Sequence, residues 1–220
     1  MEAALGRDAL SYTSGKVTQQ RDPSFRRDVL RSYGYTYAQC NNTTGKLPCL
    51  ILNCDIPRDS LVVGHIFKHE WAAVSERIMN FEINDTRNGL PVFKPIEDAF
   101  DTLRLCIIVE ETLATERFIV KVLDPSLLDV LLVDRAAQLG AQGVHYSKTV
   151  SALAFRDIHN TEVKFYSLHR PFKRALYFQA RKAQQRSIAK GWMPNTWTFA
   201  DFSSEGNHKL NIEKWFSRHV

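Results

Sequence analysis

The 37 residues from His65 to Asp101 constrain this chain more than any other stretch. They set a histidine just behind the apolar run 61–63, then an Asn88-Gly89 pair leading into the apolar segment 90–93, then two carboxylates, Glu97 and Asp101, four positions apart. Residues 49–52 and 61–63 read as two short strands, the second delivering His65 at its end, and residues 95–100 read as a helix opened by Pro95. On such a helix Glu97 and Asp101 share one face. The stretch therefore offers a proton acceptor, an orienting amide and a pair of hard oxygen donors, a set that suits metal-assisted hydrolysis of a phosphodiester. Between His65 and Asn88 the apolar residues Trp71, Val74, Ile78 and Phe81 recur at intervals of three to four, so an inserted helix is expected over 68–81.

The order His65, Asn88, Glu97 resembles the HNH nuclease family, whose ββα-metal motif runs His, Asn, His. Nine positions separate Asn88 from Glu97, the family's usual interval before its third motif residue. Asn88-Gly89-Leu90 and Phe100-Asp101 are similar to the NGL and FD phrases of the branch whose first His sits in an AHI phrase. Upstream, Phe25-Arg26-Arg27-Asp28-Val29-Leu30, Tyr33-Gly34 and Cys49 resemble that branch's leading helix and strand. The likeness spans residues 21–109, about 40 % of the chain. It implies a ββα-metal core; together with an inserted helix, additional strands and a long C-terminal basic helix read from the residues themselves, the expected fold class is α+β. It also implies an endonuclease in which His65 is the general base and Asn88 orients that imidazole or braces its loop. Glu97 would take the third motif position and, with Asp101, hold a divalent ion, Mg2+ or Mn2+. Gly64 stands where many members carry Asp or His, and Glu97 where they carry His. A glutamate suits a hard Mg2+ or Mn2+ ion better than a zinc-like imidazole site. His69, four residues after His65, reads as a helix-start or surface histidine.

Outside this core the chain divides into an expected flexible arm over 1–20 and an extension over 110–220, packed on the 21–109 core as one globular unit. Asp22-Pro23 and Gly34 bracket a helix over 23–33. Residues 103–109 and 117–123 read as a strand pair. The stretch 134–152, rich in Ala, Gly, Gln and Ser, reads as a flexible loop, and 155–165 as a further pair of short strands. Between Arg170-Pro171 and Gly191 a helix of about twenty residues carries Phe172, Leu176, Ala180 and Ala183 on one face. Residues 163–200 hold eight Lys or Arg and no Asp or Glu. Arg170, Lys173, Arg174, Arg181, Lys182 and Arg186 are thus candidates for contact with backbone phosphates, a solvated basic face being the plain alternative. Trp192 and Trp197 read as core anchors, with base stacking the alternative.

A formal charge of +5 and a pI near 9.0 favour a polyanionic partner, here DNA, double-stranded sooner than single-stranded. The four cysteines lack a Cys-x-x-Cys pair and read as reduced thiols, with a zinc site of Cys40, Cys49 and Cys54 as the lesser alternative. No apolar run approaches the roughly 18 to 20 residues of a membrane span, and residues 1–10 lack a signal-peptide core. A soluble intracellular protein, the nucleus included, is the expectation; oligomeric state is not written in these residues. Two other classes compete: a DNA-binding effector or toxin that kept the scaffold without cleavage, which Gly64 and Glu97 favour, and an interaction protein whose basic helix meets an acidic partner.

Overall fold

Three antiparallel strand pairs and one long helix frame the core in the computed structural model, which describes residues 24–41, 44–71, 79–111, 113–194, 196, 212–214 and 216–217. The expected arm 1–20, residues 72–78 of the expected insert and Trp197 lie outside the described residues. Helix α1 (Phe25–Ser32) buries Phe25, Val29 and Leu30 at the spacing of one helical face. It ends where Gly34 takes φ +90°, letting Tyr35 N–H reach back to the Leu30 carbonyl at 3.1 Å. A short α2 (Tyr37–Asn41) leads to β1 (Lys46–Cys49), paired with β2 (Cys54–Pro57) so that Cys49 faces Cys54.

The ββα unit follows. β3 (Leu61–His65) pairs antiparallel with β4 (Gly89–Phe93), Leu61 opposite Phe93 and His65 opposite Gly89, and β4 runs directly into α3 (Lys94–Asp101) with Pro95 in its first turn. The expected assignment of 49–52 and 61–63 as the unit's strands is therefore corrected. Cys49 ends the first hairpin and residues 50–53 turn, with Asn53 in the left-handed region at φ 49°. The partner of the His65 strand is the segment after Asn88. All five β4 residues are buried, which is why no alternation marks it in the sequence.

β5 (Leu105–Glu111) and β6 (Glu116–Val122) form the expected hairpin. Residues 134–152 are not a loop. They contain most of α4 (Leu132–Gln138) and all of α5 (Lys148–Ser151), held by buried Leu132, Ala136 and Val150. Arg135 ties α4 to Asp98 of α3 at 2.8 Å, and Lys94 Nζ donates to the Leu139 carbonyl at 2.6 Å. Likewise 155–158 form a helical turn, α6 (Phe155–Ile158), because the Asp157 carboxylate caps Ala154 N–H at 2.8 Å. What remains of the expected strand pair is one bridge, Glu162 to Ile119.

The last long element, α7 (Lys173–Ala189), packs across β5. Nine of its 17 residues are buried, including Tyr177, Phe178 and Gln179, which lie outside the expected apolar stripe. The buried Gln179 side chain donates to the carbonyls of Phe100 and Leu105 at 3.0 Å each, stapling the end of α3 to the start of β5. Phe178 packs edge to face on Phe67 and Trp71 at ring distances of 5.0 and 5.2 Å. α7 is thus a core helix that also carries basic residues, and it fixes the loop following His65 from behind. No described helix is long and apolar enough to cross a membrane. All four cysteines are free thiols; burial pushes Cys49 up to about 11 and Cys106 higher still. Among the described residues no three His, Cys, Asp or Glu side chains form a metal-holding group, so Cys40, Cys49 and Cys54 do not assemble a zinc site.

Candidate active site

His65, Glu97 and Asp101 line one open cavity of about 280 Å³, together with Gly64, Lys68 and His69. Strand pairing delivers His65 to its rim, and α3 presents Glu97 and Asp101 from the same face one turn apart. Asp98, on another face, is taken by Arg135. β3 pairs with β4 and α3 continues from β4, so the β3–β4 register brings His65 and Glu97 together across 32 residues of sequence.

The imidazole of His65 is held on three sides. Phe25 stacks flat on it, with ring centroids 4.0 Å apart and planes within 6°. His69 meets it edge-on at 4.4 Å. Asn84 Oδ1 lies 3.2 Å from Nε2; when that nitrogen carries the hydrogen, Nδ1 bears the lone pair that can take a proton. Asn88 does something different. It is fully buried, accepts Phe67 N–H on Oδ1 at 2.8 Å, and donates Nδ2 to the carbonyls of Phe67 at 3.0 Å and Ile83 at 2.8 Å. Its own carbonyl accepts Ile66 N–H at 2.8 Å. Asn88 therefore clamps the two residues after His65, while Asn84 touches the ring. The Asn-Gly pair is not a turn glycine either: Gly89 is extended, with φ −105°. A Cβ there would lie 2.5 Å from Val29 Cγ2 and 3.0 Å from Phe25 Cζ, so glycine is what lets α1 approach and lay Phe25 on His65.

Gly64 and Glu97 are likewise matched. A Cβ on Gly64 would sit 2.9 Å from Glu97 Cγ, so the glutamate reaches the cavity across the space that glycine leaves. Lys68 extends its ammonium over the end of α3, where Nζ donates to the Asp101 carbonyl at 2.6 Å. His69 lines the cavity, with both ring nitrogens buried and without a hydrogen-bond partner among the described residues. Sequence reasoning passed over Asn84, Phe25 and Lys68, because nothing in their spacing marks them. Only their contacts do.

The six basic candidates are not gathered at this cavity. Arg170 donates to the carbonyls of Ser167 and His169 at 2.6 and 2.8 Å and lies over the Phe165 ring. Lys173 pairs with Glu111 and Glu116. Arg174 lies 4.2 Å over Phe172, and Arg181 bonds Gln184 at 2.6 Å and Glu213 at 3.3 Å. Lys182 is half-buried and Arg186 exposed. Trp192 is half-buried.

The ββα unit thus sets His65 and the two α3 carboxylates around one cavity, with Asn88 buried behind the loop that follows His65. Residues 49–108, 60 of the 220, match the family described as HNH endonuclease. Comparison with curated proteins and with solved structures gives no match. The match supports a nuclease and implies a nucleic-acid substrate. HNH nucleases generally use a divalent metal ion. The donor set here fits one in part: Glu97 and Asp101 are two hard oxygen donors on one wall, and water or substrate phosphate must complete the shell.

Proposed function

We propose that this protein is a metal-dependent DNA endonuclease. His65 Nδ1 takes a proton from water as the water oxygen bonds to phosphorus and the P–O3′ bond breaks; the departing oxygen is protonated from solvent. Asn84 holds the imidazole's other nitrogen, and Asn88 holds the loop on which the imidazole rides. Glu97 and Asp101 would hold Mg2+ or Mn2+, which when bound supplies Lewis-acid stabilisation of the phosphate and leaving oxygen. The observation that carries the reading is the shared cavity lined by His65, Glu97 and Asp101. Contacts to flanking phosphates of double-stranded DNA are assigned to Arg170, Lys173, Arg174, Arg181, Lys182 and Arg186. Exposed Arg186 would act directly, and Lys173 and Arg181 only by exchanging their internal carboxylate partners. The second reading, a DNA-binding protein without turnover, is favoured by the two-carboxylate donor set. Plasmid cleavage in Mg2+ or Mn2+, repeated with His65→Ala, decides between them. Loss of cutting by at least a hundredfold is expected, and equal cutting by both proteins overturns the nuclease assignment.

A further inference from the structure

The cavity that holds the carboxylates is a poor receptacle for a phosphodiester on charge alone. Glu70, Glu97 and Asp101 line it, and Lys68 is the one Lys or Arg among its seven described lining residues. The Lys68 side chain is anchored rather than free to wander. Its ammonium donates to the carbonyl of the last α3 residue, Asp101, at 2.6 Å, at the negative end of the helix. It also lies 5.6 Å from the centre of the Trp71 ring, and Trp71 is buried against Phe67 and Phe178. The Glu70 carboxylate stands 3.8 Å away, beyond hydrogen-bond distance, with its side chain 63 % exposed, so that pair contributes little. An ammonium has three N–H donors and the Asp101 carbonyl uses one. A cap on a helix end needs no cavity around it. Here the capped end, the two α3 carboxylates and His65 share one.

We propose that Lys68 is a phosphate-binding residue of this site, presenting its ammonium to a non-bridging oxygen of the scissile phosphate. This rests on the nuclease reading for its chemistry, though not for the binding itself. Lys68 contributes the monovalent positive charge that an otherwise acidic cavity needs to admit an anion. Because it is hydrogen-bonded to α3, it also fixes where that anion sits relative to Glu97 and Asp101. No bond to Lys68 forms or breaks; its part is electrostatic.

Three measurements test it. The first titrates inorganic phosphate in Mg2+ while following the His65 ring resonances by NMR, in wild type and Lys68→Gln. A saturable shift is expected in wild type, with Kd raised at least fivefold in the variant. The second is plasmid cleavage, where Lys68→Gln is expected to fall about 10- to 100-fold and Lys68→Arg to recover part of the loss, since Arg keeps the charge. The third is Mn2+ affinity, expected to stay within twofold, which separates loss of the ammonium from damage to Glu97 and Asp101. Equal phosphate affinity in wild type and Lys68→Gln overturns the proposal whether or not the protein cuts DNA. Should His65→Ala cut like wild type, the nuclease reading fails instead, and the phosphate titration alone decides the role of Lys68.

Discussion

Replacing Asn88 with alanine should destabilise the protein more than any single change on the cavity wall. The side chain is fully buried and makes three hydrogen bonds to backbone groups, of 2.8 to 3.0 Å. Two of them engage the N–H and C=O of Phe67, itself fully buried, where water cannot substitute. A buried polar group left without a partner costs about 1 to 3 kcal/mol. The third partner, the Ile83 carbonyl, belongs to a half-buried residue and can recruit water, so its loss is smaller. The sum is about 3 to 5 kcal/mol, a large part of the roughly 5 to 15 kcal/mol available to a domain. For a chain of this size each kcal/mol lowers Tm by roughly 2 to 4 °C, so a fall of about 10 °C is expected. Urea unfolding followed by tryptophan fluorescence gives the free energy directly. Asn88→Asp keeps the acceptor for Phe67 N–H but turns a carboxylate toward two carbonyls, and should do no better than alanine. A loss under about 1 kcal/mol for Asn88→Ala would refute the clamp, since at least two orphaned groups must then have found other partners.

Other outcomes are expected from the same geometry. Gly64→Ala places a methyl 2.9 Å from Glu97 Cγ and must turn that side chain, so Mn2+ affinity by EPR titration should drop about tenfold or more while Tm moves little; unchanged affinity would show that Glu97 is not a ligand. Gly89→Ala meets Val29 Cγ2 at 2.5 Å and should destabilise by about 1 to 3 kcal/mol in urea unfolding, loosening Phe25 from His65 as it does so. Burial holds the His159 and His169 imidazoles below their ordinary value of 6.5. A depressed histidine contributes stability that is complete above that value and is lost as pH falls below it, because the unfolded chain then binds protons the fold resists. Tm should therefore decline on acidification from about pH 7 to 5, and the double change His159→Gln with His169→Gln should flatten that slope; an unaltered slope would exclude both.

The parts of this molecule legible beforehand are those with local signals. Pro and Gly punctuation placed α1 and α7, and a hydrophobic period of three to four marked the apolar faces of each. The carboxylate pair was legible because four positions on a helix is a fixed rotation. What failed to show was whatever depended on a distant partner. β4 is buried throughout and lacks alternation, and α4 became a helix through Asp98 and core contacts that its Ala- and Gln-rich sequence does not advertise. Lys173, Arg174 and Arg181 are drawn to Glu111, Phe81 and Glu213, which lie far away in the chain.

By itself, then, the sequence determined the order His65, Asn88, Glu97, Asp101 and the helix that puts two carboxylates on one side, since spacing along a helix needs nothing beyond the backbone. Only the tertiary structure decided which strand pairs with β3, that Asn84 rather than Asn88 meets the imidazole, that Gly64 and Gly89 are there for close approach, and that Lys68 enters the cavity. Those are relations across 19 to 64 residues, and side chains so separated have no mutual geometry until the core has closed around them.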